Sequence, residues 1–241
     1  MTTPVFRNVD EAFSYCRDMD ASLRERLETF SAAARTLRPE MQEAVDRMVA
    51  RLATHDAGAA APQIGDVMPP FFLPNERGDL VSLASLLKVG PVAVTFHRGH
   101  WCPYCRISTK ALAETQARIA AAGAQIVAIM PDRHQFAATF KSEAKVYYPV
   151  LTDMDNGYAM SLNLAIWVGA EVQGLMAVSG RDLPRYQGNE AWVLPIPASF
   201  VVDGDGYVQA RFIDPDYRRR MAIEDLLAAL RNAHGTSHDP W

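Results

Sequence analysis

The chain has 241 residues, with 24 Lys and Arg against 28 Asp and Glu, a formal charge of −4. That balance gives no electrostatic reason to bind nucleic acid or an anionic membrane surface, and no run approaches the ~18 apolar residues of a membrane-spanning helix. Hydrophobic residues make up 49% of the chain, enough for one sizeable core, and the length suits one domain with an appendage.

The first residues, Met1-Thr2-Thr3-Pro4, lack the basic and then apolar layout of a secretory signal, so the expected location is the cytoplasm. Residues 1–61 read as a helical N-terminal extension and linker, and residues 62–241 as the main domain. Phe13, Cys16, Leu23, Leu27 and Phe30 fall near helical spacing and predict one apolar stripe. Pro39 suits the first turn of a further helix carrying Met41, Val45, Met48 and Leu52. Such a stripe needs cover, either from the domain or from a second copy in a homodimer. Cys16 lies on it and reads as a core or interface thiol.

After Pro62 the texture changes. Phe71-Phe72-Leu73, a turn through Gly78, and Leu80-Val81-Ser82-Leu83 predict a β-hairpin. Pro91 to Phe96 reads as a strand buried on both faces. A helix is expected from Pro103 to Gly123, a buried strand over Gln125 to Met130, a polar helix over Arg133 to Lys145 and a short strand over Tyr148 to Leu151. This alternation implies an α/β fold with a parallel sheet between helices. Asp153 and Asp155 read as turn and cap groups.

Leu164 to Leu194 shows no strong periodicity. It carries Trp167, Arg181, Arg185, Tyr186 and Trp192, and reads either as a wall of the site or as a packed surface insertion. Ser199 to Ile213 predicts a second hairpin turning at Asp203-Gly204-Asp205-Gly206, and Ile223 to Asn232 a last helix. The acids from Asp205 to Asp216 and the run Arg218-Arg219-Arg220 read as solvated surface.

The chemistry concentrates in Phe96-His97-Arg98-Gly99-His100-Trp101-Cys102-Pro103-Tyr104-Cys105. With only three cysteines in the chain, a disulfide framework is excluded, and a close pair suggests catalysis or metal binding. The pair follows a buried strand and opens a helix, where unpaired N–H groups and the helix dipole stabilise a thiolate. On this reading Cys102, at the cap, is the more exposed and attacking thiol, and Cys105, one turn inside, resolves it. Arg98 and His100 are expected to raise the local positive potential, beside Trp101. His97, His100, Cys102 and Cys105 form an alternative two-His, two-Cys metal set, which would make the chain a metal-binding or redox-sensing module without turnover.

Gly65-Asp66, Pro69 to Leu73, Arg98 to Cys105 and Leu194-Pro195-Ile196-Pro197-Ala198-Ser199-Phe200-Val201-Val202-Asp203 together resemble the alkyl hydroperoxide reductase/thiol-specific antioxidant superfamily, in its peroxiredoxin-like branch. The resemblance implies a thioredoxin-like fold with a central mixed sheet flanked by helices, and a helical extension outside it. It implies a redox-active Cys102–Cys105 disulfide, a hydroperoxide or small disulfide as substrate, a thioredoxin-like or glutathione-type reductant, and no cofactor. Thiol–disulfide oxidoreduction is the alternative activity. It also maps a cis-proline facing the cysteines onto Pro197. The usual P-x-x-x-T-x-x-C signature is not kept. With its cysteine on Cys105, Cys102 stands at the threonine, Arg98 at the proline, and Pro197 near the usual arginine.

Overall fold

The computed structural model describes residues 4–233. Three helices open it. In α1 (Val9–Asp18) the Asn8 side chain accepts from the Glu11 N–H, and α2 (Leu23–Leu37) starts from a reciprocal Ser22/Glu25 capping box. Pro39 sits in the first turn of α3 (Pro39–Thr54). The predicted stripe from Phe13 to Phe30 is therefore shared by two helices, because Ser22 caps a new one. All five of its residues are buried.

A hairpin follows, β1 (Phe72–Pro74) and β2 (Leu80–Ser82), closed by Asn75 Oδ1 accepting from the Arg77 and Asp79 N–H groups. Then come α4 (Leu83–Leu87), β3 (Val92–Phe96), α5 (Pro103–Ala121), β4 (Gln125–Met130), α6 (His134–Ala144), β5 (Val150–Thr152) and α7 (Gly157–Ser161). The Asp153 carboxylate accepts from the Tyr158 and Ala159 N–H groups and so caps α7.

The stretch without periodicity is structured: β6 (Ala165–Trp167), α8 (Ala170–Val178), α9 (Leu183–Gln187) and β7 (Val193–Pro195), with β6 and β7 paired antiparallel. Elements this short do not complete enough turns to show a period. Next are β8 (Ala198–Val202) and β9 (Val208–Ile213), joined by the expected turn, and α10 (Ile223–Ala233).

The main sheet has the order β5-β4-β3-β8-β9. β3, β4 and β5 run parallel, while β8 is antiparallel to β3 and β9 to β8. Alternation along the strands divides the core between two faces. Ala93, Ile126, Ala128 and Met130 join the layer that holds α5 and α10. Val92, Val94, Phe96, Val127 and Ile129 join the layer under the β1–β2 hairpin and α7.

The N-terminal helices cover this chain's own domain. α1 and α2 lie on α5, and α3 lies on α8. Phe30 meets the Tyr104 ring edge-on at 5.0 Å, and the Ser31 hydroxyl donates to Tyr104 Oη at 3.2 Å. Arg26, itself buried, pairs with Glu114 at 2.8 Å. Of the two covers expected for the apolar stripe, the intramolecular one is observed. No helix among the described residues is long and apolar enough to cross a membrane.

Candidate active site

β3 ends at Phe96, and the chain crosses to α5 through residues 97–102. Gly99 makes the crossing possible. Its φ is +146°, and a Cβ there would run into Trp101 Nε1 and the Asp132 carboxylate. Cys102 is the N-cap of α5, with extended φ/ψ, and Pro103 fills the first helical turn.

Both sulfurs are buried: Cys102 is 1% exposed and Cys105 0%. The expected exposure of Cys102 is thus corrected. Although it caps a helix, α2, α3 and residue 217 close over it. What separates the two is access and charge. Cys102 lines a cavity that is partly open to solvent, and Cys105 does not. Cys105 Sγ accepts from the Arg98 N–H at 3.3 Å and from Arg220 Nη2 at 3.5 Å.

Burial alone would raise the Cys102 thiol. A hydrogen bond from Cys105 and the charges of Arg98 and Arg220 outweigh it and bring the thiol down to about 6. Cys105 moves the opposite way, well above the ordinary thiol range, through burial and the neighbouring Cys102 charge. Charge is thus favoured on Cys102 and disfavoured on Cys105.

Arg98 is 4% exposed and lies over the Tyr217 ring at 3.7 Å and the Trp101 ring at 5.2 Å. It has aromatic faces for neighbours and no carboxylate partner among the described residues, so its charge is available to the thiolate. Arg220, from the run read as solvated surface, turns inward instead. Its Nη1 donates to the Tyr217 and Arg219 carbonyls, which aims Nη2 at Cys105. Arg218 of the same run is held by Asp46 and Asp216 at 2.7 Å each. The segment 214–220 is therefore fastened to α3 and joins the site through Tyr217 and Arg220, while Arg219 stays at the surface as read.

His100 does not act on the thiolate. Its Nδ1 is 2.7 Å from Asp132 Oδ2, and its ring stacks on Phe136 at 4.6 Å and meets Tyr186 edge-on. His97 points elsewhere, with Nε2 3.1 Å from Thr95 Oγ1 and its ring against Phe140. The two imidazoles do not converge with the two sulfurs, and among the described residues no cluster of three or more His, Cys, Asp or Glu could hold a metal ion.

Pro197 is buried at the β7–β8 junction, and no described peptide is cis. The mapped cis-proline is corrected. β7 is already paired with β6, and the Ile196 N–H donates to the Leu164 carbonyl at 2.7 Å. The backbone there is committed within the chain. Cys16 is fully buried, and its thiol is pushed up to about 11 by burial alone.

Sequence reasoning missed Asp132, Tyr217 and the cavity residues Arg38 and Gln42, and read Arg220 as surface. Arg181, named on the connection read as a possible wall of the site, does line the cavity.

A Cys-x-x-Cys corner between a buried strand and a helix, on a mixed five-stranded sheet, places the chain in the thioredoxin-like class. Within that class it belongs to the AhpC/TSA family, whose sequence model matches residues 64–211, more than half of the chain. A Mycobacterium tuberculosis protein named as a peroxiredoxin, Rv2521, is 32% identical over 60% of this chain and 80% of its own length. A Coxiella burnetii protein named as the peroxiredoxin bcp is 24% identical over 61% of this chain and 86% of its own length. In fold, the chain is similar to the peroxidoxin BcpB of M. tuberculosis, with a TM-score of 0.55 at 22% identity, covering 71% of this chain and 97% of that one. It is also similar to a cysteine-to-serine mutant of peroxiredoxin 6 of Arenicola marina, with a TM-score of 0.54 at 15% identity, covering 70% and 71% of the two chains.

Proposed function

We propose that the chain is a two-cysteine thiol peroxidase that reduces hydroperoxides with Cys102 and resolves the product with Cys105. The observation that carries this reading is the charge asymmetry of the pair. Cys102 is held as a thiolate at the wall of a cavity, beside a protonated Cys105 and two guanidiniums. The thiolate attacks one peroxide oxygen and the O–O bond breaks. The alcohol leaves with a proton, and Cys102 becomes a sulfenic acid. Cys105 sulfur then displaces water from it, forming the disulfide, and two electrons from an external thiol restore the pair. Arg98 stabilises the thiolate, with Trp101 stacked on it. Pro197 contributes packing behind the site. The setting we propose is the cytoplasm, where such thiols are abundant.

A second reading has its own support. The Arg98 N–H and Arg220 donate to Cys105 Sγ, which would suit attack by Cys105. One experiment separates the two. Hydroperoxide consumption is followed with a thiol donor, and the sulfenic acid is trapped in single-cysteine variants. On the first reading Cys105→Ser consumes one equivalent of peroxide and traps on Cys102, while Cys102→Ser consumes none. Trapping on Cys105 in Cys102→Ser would favour the second. No consumption by the unaltered protein, with reduction of disulfides instead, would make it a thiol–disulfide oxidoreductase.

A further inference from the structure

Any reductant must reach Cys102 through the cavity that exposes it. The far wall of that cavity comes from α2 and α3, which lie before the family match at residue 64. Phe30 and Val45 supply apolar surface, and Met176 of α8 adds more. Three guanidiniums border the space: Arg98, Arg38 at the start of α3, and Arg181 after α8. Arg181 Nη1 donates to Ser179 Oγ, and none of the three is paired with a carboxylate among the described residues. Gln42 is 5% exposed and lines the same cavity, with its Oε1 carrying no hydrogen bond. A buried acceptor without a donor is costly, so the lining asks for a ligand that brings an anion and an N–H group.

Resting on the reading of Cys102 and Cys105 as a redox pair, we infer that the cavity is built for a small peptidic thiol bearing a carboxylate, which resets the disulfide from inside. The thiol's carboxylate meets Arg38 and Arg181, and its amide or amino N–H donates to Gln42 Oε1. Its thiolate attacks Cys102 Sγ, the sulfur that lines the cavity. The Cys102–Cys105 bond breaks, Cys105 leaves as a thiolate and takes a proton, and a mixed disulfide remains on Cys102. A second thiolate attacks the small-molecule sulfur and frees Cys102, so two thiols leave as one symmetric disulfide. A protein dithiol is disfavoured by the same geometry. Exchange between proteins needs a sulfur that a second folded chain can touch, and Cys102 is 1% exposed.

The test starts from peroxide-oxidised protein whose Cys102–Cys105 link has been verified by non-reducing peptide mapping. Its reduction rate is measured with glutathione, 3-mercaptopropionate, 2-mercaptoethanol, cysteamine and thioredoxin. Each rate is divided by that thiol's rate on one small aromatic disulfide at the same pH, which removes intrinsic reactivity. The expected order is glutathione first, then the carboxylate thiol without an N–H, then the neutral thiol, then the cationic one. Glutathione should lead 2-mercaptoethanol by about tenfold, the scale of one charge-assisted hydrogen bond. Thioredoxin should fall below glutathione. Changing Arg38→Met and Arg181→Met together should collapse the glutathione to 2-mercaptoethanol ratio toward one, and the matching Lys variants should restore it. The wild-type series alone decides the matter if the double variant does not fold. Normalised rates without charge order, or thioredoxin leading the series, would overturn the inference and leave the redox pair standing. Absence of the Cys102–Cys105 link after peroxide would overturn both.

Discussion

Reduced protein treated with iodoacetamide over a range of pH should lose Cys102 first, and the size of its lead follows from the environments of the cysteines. At pH 7 a thiol brought down to about 6 is roughly nine-tenths thiolate, and one pushed up to about 11 is ionised to roughly one part in ten thousand. Cys102 therefore holds an advantage of about 10⁴ over Cys16 in reactive form. Nucleophilicity falls with pKa, with a Brønsted slope of about 0.4–0.5, which over the difference removes roughly two decades and leaves about 10². Access adds to this, since Cys102 borders a cavity while Cys16 is sealed in the α1–α2 core. The assay is quenched alkylation with peptide mapping at a series of pH values. The Cys102 rate should reach half its maximum near pH 6. A half-maximum above pH 8, or Cys105 labelling ahead of Cys102, would refute the charge asymmetry on which the mechanism stands.

Replacing either guanidinium should raise the pH of half-maximal Cys102 labelling, and Arg98→Met should raise it more than Arg220→Met, because the Arg98 charge acts more strongly on that sulfur; the reverse order would count against the site as drawn. His97 is buried neutral, with its pKa depressed to about 3 by burial and by Arg220. Below its ordinary value of about 6.5 the unfolded chain binds a proton that the folded one does not, so this group's stability is full above pH 6.5 and is lost as pH falls toward 3. The loss approaches about 1.4 kcal/mol per pH unit and amounts to about 1.6 kcal/mol between pH 6.5 and 5. Urea titrations at both pH values should show the unaltered protein losing that much more than His97→Gln, and equal losses would contradict the burial. Gly99→Ala should destabilise by about 2–4 kcal/mol and perturb the peptide at Trp101, since a Cβ collides with Trp101 and Asp132 at a φ that disfavours side chains; a neutral change in thermal midpoint would show that the crossing can be rebuilt.

The elements with a long or doubly buried pattern were legible in the sequence. Val92 to Phe96 could be placed because every position faces a core, and α5 because Pro103 and Gly123 bracket its apolar positions. The cysteine corner was legible for the same reason, as a motif fixed by local backbone. Long-range placement was not. Nothing in Arg218-Arg219-Arg220 tells which guanidinium turns inward, since that depends on Tyr217 offering its carbonyl and on Asp46 of α3 holding Arg218. His100 misled because its neighbour in sequence is Cys102, while its neighbour in space is Asp132, 32 residues on. Cys102 misled likewise. A helix cap is exposed unless something distant covers it, and the covering residues lie on α2 and α3.

The division of labour along the chain follows from these placements. The family match over 64–211 contains the corner, both sulfurs, Arg98 and Asp132, which is the part that sets the backbone of the site. Phe30, Arg38, Gln42 and Val45 lie before it, and Tyr217 and Arg220 after it. The two flanks meet each other, through Arg218 and Asp46, on top of the cysteine corner. Closure, and with Arg220 part of the charge, thus comes from segments that fold over the core from both ends. Burial by itself would hold Cys102 neutral; Cys105 and Arg98, from within the family match, oppose it, and the C-terminal flank that closes the site adds a second guanidinium, Arg220. Enclosure and thiolate stabilisation are coupled in this chain. A change that loosens 214–220 should therefore raise the Cys102 pKa by withdrawing Arg220 even as it admits more water.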